Sequence, residues 1–202
     1  MACFRLLVAI AIIFSLAALA GCGGGLRGPS VPGGVQVPPD QSAGGVNPPA
    51  TSGAAASSAS LPANAKVVYS LSLTKDGQPA IYRARGIEGA RVANGVLALK
   101  TTTEDGNFDL FATPLAQGLK PPLWLKVEMS NTVPGTWGEA YWDTGAGMSE
   151  KTAALWKLPG DGAMHTYTVK LNADGPVRDI RFDPSAKADT IKIKSLAVFA
   201  GQ

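Results

Sequence analysis

Leu123-Trp124-Leu125-Lys126-Val127-Glu128-Met129 is the stretch that decides the fold. Large apolar side chains occupy every second position, at Leu123, Leu125, Val127 and Met129. Trp124, Lys126 and Glu128 fill the positions between. A period of two is that of a β-strand with one face on a core and the other turned away. The same kind of segment recurs on both sides: Lys66 to Leu71, Ala80 to Ala84, Val92 to Leu99, Phe108 to Phe111, Glu139 to Asp143, Ala153 to Leu158, His165 to Leu171, Val177 to Asp183 and Thr190 to Phe199. Asn94-Gly95 offers a turn inside the third of these. Lys75-Asp76-Gly77, Asp105-Gly106-Asn107, Gly160-Asp161-Gly162, Ala173-Asp174-Gly175 and Asp183-Pro184 supply turn chemistry between the others. Helical periodicity is absent, with room for one turn at 149–154. Many short strands with turns between them predict an all-β fold, an antiparallel β-sandwich or a barrel.

Outside this region the composition changes. Residues 65–202 are enough for a single core. Gly23 to Asn64 has no aromatic residue and only two charges, Arg27 and Asp40, among abundant Gly, Pro, Ser and Ala. Such a segment cannot bury enough apolar surface to offset its ordering entropy, so residues 22–64 read as a flexible linker. As a coil its 42 residues after Cys22 span roughly 35–40 Å.

Ahead of the linker, Arg5 precedes an apolar run from Leu6 to Ala20, fifteen residues broken only by Ser15. That is short of the ~20 residues that cross a bilayer and fits a secretory signal, residues 1–21. The run ends in Leu19-Ala20-Gly21-Cys22, which resembles the lipobox of bacterial lipoproteins. The resemblance implies cleavage before Cys22, lipid on its thiol and acylation of its new amine. Three acyl chains would make a lasting membrane anchor, since each buried CH₂ contributes about 0.8 kcal/mol. It also implies a cell-envelope location, lipid-anchored. Gly23 stands where Asp would retain the protein at an inner membrane, so the outer membrane is expected if the source is Gram-negative.

The two cysteines are Cys3 and Cys22, so the mature domain has neither a free thiol nor a disulfide. A formal net charge of +3 is too small and scattered to argue for nucleic acid. With one histidine, no mature thiol and no Gly-x-Ser-x-Gly elbow, catalysis is not expected. No cofactor is expected either. A structural calcium at a strand end, to which Asp76, Asp105 or Asp189 could contribute, is not called for by their spacing.

The C-terminal half carries a further pattern. Leu123-Trp124-Leu125-Lys126-Val127 leads to Ala140-Tyr141-Trp142, then to Asp161-Gly162, His165, Tyr167 and Leu171. Ile180-Arg181-Phe182-Asp183-Pro184 and Ile191-Lys192-Ile193 close it. This resembles the galactose-binding-like jelly roll found beside bacterial sugar-processing enzymes, and is similar to carbohydrate-binding modules of that fold. Phe182 stands where that family usually has an aliphatic residue, and Tyr141 where it has Phe. The resemblance implies a jelly roll and leaves the ligand open.

Sugar binding requires flat aromatic surface for pyranose faces and planar polar groups for hydroxyls. Trp124, Glu128, Tyr141, Asp143 and Arg181, with Lys126 and Glu139, are expected to supply both on one face. Trp137, between Gly135-Thr136 and Gly138, is expected as an exposed loop aromatic. Trp142 is expected in the core and His165 at its edge. Arg181 faces away from the core with Asp179; for it an internal ion pair on that face and a sugar contact are both open, and Asp183 is read as capping the turn before Pro184. Two classes of function follow: an envelope-displayed module binding glycan or another envelope polymer, or an interaction protein docking a protein partner without sugar affinity.

Overall fold

The computed structural model describes residues 59–201; the signal, Cys22 and most of the linker lie outside the described residues. Eleven strands follow in order: β1 (Lys66–Ser70), β2 (Tyr82–Arg85), β3 (Ile87–Ala93), β4 (Val96–Thr101), β5 (Gly106–Asp109), β6 (Leu123–Ser130), β7 (Thr136–Asp143), β8 (Ala153–Leu158), β9 (His165–Leu171), β10 (Asp179–Ser185) and β11 (Asp189–Ala200). One 3₁₀ turn, Glu150–Thr152, fills the place where a helical turn was expected. The strands form two antiparallel sheets. Sheet A runs β2-β5-β10-β7-β8; sheet B runs β3-β4-β11-β6-β9, with β1 also paired to β11.

The alternating stretch behaves as its sequence requires. Leu123, Leu125, Val127 and Met129 are at most 1% exposed and face inward from β6. Ile191, Ile193, Leu196 and Val198 join them from β11. Ala140, Trp142, Ile180 and Phe182 meet this layer from sheet A, and Phe182 lies between Phe108 at 5.4 Å and Trp156 at 5.7 Å, centroid to centroid. Two apolar sheet faces packed together make the core of a sandwich.

Asn94 and Gly95 both have positive φ, 50° and 73°, and join β3 to β4 in the two-residue turn the sequence suggested. β3 reaches back to Ile87, further than expected. Gly89, at φ 61°, sits in a register shift between Glu88 and Arg91, so the chain bulges and its alternation is lost. The turn expected at Asp105-Gly106-Asn107 falls at Glu104-Asp105 instead, and Gly106 already belongs to β5. Asp183-Pro184 is not a turn. β10 continues through Pro184 to Ser185, with Pro184 inside a second register shift, where a missing N–H costs the ladder least.

Asp189 closes one end of the sandwich. Its carboxylate accepts from the amides of Thr132 (2.9 Å) and Val133 (3.1 Å), the Thr132 hydroxyl (2.8 Å) and Asn131 Nδ2 (3.1 Å). Its acceptor positions therefore hold the loop after β6. Asp76 caps the Asn94 amide at 3.0 Å, and Asp105 lies near Arg181. Among the described residues these three are not gathered into a metal-binding group.

Candidate functional site

Sheet A turns a polar face outward. On β7, Gly138, Ala140 and Trp142 are buried against the core, so Trp137, Glu139, Tyr141 and Asp143 point away from it. On β10, Asp179, Arg181 and Asp183 alternate in the same way with buried Ile180 and Phe182. Register sets Arg181 between Tyr141 and Asp109, and Asp183 beside Glu139.

These side chains form one network. Arg181 donates to both oxygens of Asp183, at 2.9 and 2.7 Å, while its guanidinium carbon lies 4.4 Å from the Tyr141 ring centroid. The Tyr141 hydroxyl donates to Glu139 Oε2 at 2.9 Å and Glu150 Oε1 at 3.1 Å. The Trp137 indole N–H donates to the other oxygen of Glu139, so one carboxylate orients both aromatic rings. Burial pushes the Asp183 carboxyl up to about 7, against the pull of Arg181. Tyr141 is pushed well above its ordinary value by burial and by Glu139 and Glu150.

Beside this array lies a groove of about 300 Å³ bordered by Arg83, Arg85, Asn107, Asp109, Asp179 and Arg181. Arg83 bridges Asp109 and Asp179 and also donates to the Ala112 carbonyl at 3.1 Å. It does so from a left-handed backbone, φ 46°, in the register shift of β2, a conformation costly for a side-chain-bearing residue. Burial raises the Asp179 carboxyl, and Arg83 opposes the rise. The face thus combines ring surface with paired, oriented donors and acceptors, an arrangement suited to holding hydroxyl groups.

The structure brings Trp137, Tyr141, Asp143 and Arg181 onto this face but separates them from Trp124 and Glu128. Those two leave the core from β6, which belongs to sheet B, and so lie on the opposite side of the sandwich. Alternation tells which residues leave the core; it does not tell on which side of the molecule they emerge. Trp124 is also covered, 7% exposed, against Pro122 and Gly201. Glu128 pairs with Lys194 at 2.9 Å. Trp137 is a half-buried strand residue rather than an exposed loop aromatic. Tyr141 is 7% exposed, its ring beneath Arg181. Asp143 spends Oδ1 on the amides of Gly145 (2.6 Å) and Gly147 (2.8 Å). Asp183 caps no turn and is the ion-pair partner of Arg181, whereas Asp179, on the same face, is taken by Arg83. Trp142, 2% exposed, is in the core. His165 bonds Asp161 at 2.9 Å from β9, at the edge of sheet B.

Sequence reasoning missed Arg83, Asn107 and Asp109. A signal exists in Gly106-Asn107-Phe108-Asp109, where Asn and Asp alternate with Gly and Phe; turn chemistry at Asp105-Gly106-Asn107 hides it by splitting Asn107 from the strand that starts at Phe108.

No family model and no curated protein matches the chain. Solved structures do. A family 29 carbohydrate-binding module variant complexed with mannohexaose is 17% identical, with 68% of this chain and 93% of that one covered and a TM-score of 0.50. Another family 29 carbohydrate-binding module is 17% identical over 73% of this chain and 85% of that one, TM-score 0.45. A further variant, complexed with cellulohexaose, is 16% identical over 73% and 87%, TM-score 0.44. At these identities the likeness is one of fold: this chain is a β-sandwich of the kind seen in carbohydrate-binding modules.

Proposed function

We propose that the outward face of sheet A binds a glycan chain without transforming it. The observation that carries this is the Trp137–Glu139–Tyr141–Arg181–Asp183 network, in which one carboxylate orients two rings and an arginine fork is fixed beside an open groove. A pyranose ring offers an apolar face to Trp137, and its hydroxyls meet Glu139, Asp183 and the guanidinium edges of Arg181 and Arg83. In support, a module of the same fold binds mannohexaose.

The domain is displayed on the cell envelope. Cys22 carries the lipid, residues 22–64 are the tether, and an outer membrane is the expected address in a Gram-negative source. Mass spectrometry of the mature protein tests the anchor: an unmodified N-terminus elsewhere than Cys22 overturns it.

The glycan reading is tested by titrating the full chain with mannan, cello-oligosaccharides and purified envelope polymers, each with wild type and Trp137→Ala. Saturable binding weakened roughly tenfold by the substitution supports the site. Absence of binding to all of them, or equal binding by the variant, ends this reading and leaves docking of a protein partner in its place.

A further inference from the structure

The outward face of sheet B differs in chemistry from that of sheet A. Arg91 on β3, Lys100 on β4, Lys192 and Lys194 on β11, Lys126 on β6 and Lys170 on β9 are all exposed on it. Only Glu88 and Glu128 oppose them from the same strands, and among the described residues Lys194 alone of the six makes an ion pair. Between the lysines stand Thr166, Thr168, Thr190, Ser195 and Ala98, short side chains that leave the ammonium groups proud of a broad sheet.

One end of this face is apolar. Register aligns Val67, Phe199, Trp124 and Lys170 in a row across β1, β11, β6 and β9. Val67 is 57% exposed, and Pro122, against Trp124, is exposed as well. At the edge of this sheet the Ala59 amide donates to the Thr168 carbonyl, midway along β9, at 2.8 Å, and Thr168 pairs with Lys126.

We propose that the outward face of sheet B docks on an anionic lipid surface, leaving sheet A turned away from the membrane. Lysines on a flat face match a sheet of negative headgroups, with each cation near the surface adding attraction that salt screens. In this row Val67, Pro122 and the half-buried Phe199 offer apolar surface above the covered Trp124, with Lys170 at its end; at a membrane interface such apolar groups enter the headgroup layer and ammonium groups stay at its surface. A soluble polyanion would use the lysines but gives the row no role. The proposal rests on charge and on the apolar row, and not on the Cys22 anchor.

The test labels lysine amines of the full chain on two kinds of vesicle, pure phosphatidylcholine and phosphatidylcholine with about a third phosphatidylglycerol. Lys126, Lys170 and Lys192 should react at least about fivefold more slowly on the anionic vesicles, and recover in high salt. Lys151 and Lys157, on other surfaces, should react equally on both. In Lys126→Glu/Lys170→Glu, Lys192 should lose its protection; in Lys151→Glu/Lys157→Glu, of equal charge change, it should keep it. Equal rates on both vesicles, or uniform slowing of every lysine, overturn the proposal. So does equal protection by soluble polygalacturonate at matched charge, which would make the face a polyanion reader. An unlipidated Cys22 is detected separately by mass spectrometry and leaves the comparison between vesicles intact.

Discussion

Arg181 lies over the ring of Tyr141, 4.4 Å from guanidinium carbon to centroid, and is held there by both oxygens of Asp183. That face of Tyr141 is therefore occupied by protein. The aromatic surface open to a ligand is that of Trp137, and the polar groups beside it are already fixed by one another. Such fixing reduces the ordering cost a sugar must meet on binding.

Three of the four tryptophans of the chain separate by role. Trp137→Ala should weaken glycan binding roughly tenfold while shifting the melting temperature little. Trp142→Ala should cost about 3–5 kcal/mol of stability, because its ring is enclosed between the sheets. Trp124→Ala should cost about 1–3 kcal/mol and leave glycan affinity unchanged, since it lies on the opposite sheet. Calorimetric titration beside thermal melts checks all three; a loss of affinity in Trp124→Ala would mean that sheet A is not the site.

Asp183 gives the domain a pH signature. Burial places its folded pKa at about 7, whereas an unfolded Asp titrates near about 3.9. Between these values the folded chain holds a proton that the unfolded chain has released. The stability contributed is therefore full below about pH 4 and is lost as the pH rises through about 7. Asp183→Asn cannot ionise and escapes that loss. Its melting temperature should gain on wild type from about pH 4 to 7 and run parallel above. A constant gap across that window would show that Asp183 titrates as an ordinary carboxylate.

Asp189→Ala should destabilise by at least about 3 kcal/mol in urea unfolding, because the amides of Thr132 and Val133 and the side chain of Asn131 lose a charged acceptor together. Asp189→Asn should recover part of the loss, as one acceptor oxygen remains. Equal stability of Asp189→Ala and wild type would mean the loop holds itself.

Gly138→Ala should cost about 1–3 kcal/mol. Gly138 pairs with Trp156 across β7 and β8, and a Cβ there would stand 2.6 Å from the indole ring. The ring would have to leave its stack on Phe182, so near-ultraviolet circular dichroism should change along with the melting temperature. An unchanged spectrum would show that Trp156 does not depend on the missing side chain.

The fold was legible because its signal is local. Leu123 to Met129 alternate without interruption, and Asn94-Gly95 announces its own turn. Legibility failed where one residue breaks the period, as Gly89 does in β3 and Pro184 in β10. The site was half legible for a different reason. Trp124 and Tyr141 each alternate with core residues and look equivalent in sequence, yet β6 and β7 lie in different sheets, a property of the whole topology. Arg83 was invisible because what gives it meaning, Asp109 and Asp179, lies 26 and 96 residues away.

β11 adds a constraint on the order in which the chain can be finished. It is the last strand made, yet it lies inside sheet B, where β4, β6 and β1 all pair with it. Until Asp189–Ala200 has emerged, three earlier strands lack their common neighbour, and pairings so distant in sequence close slowly. Sheet B therefore lacks its central pairings until Asp189–Ala200 is in place.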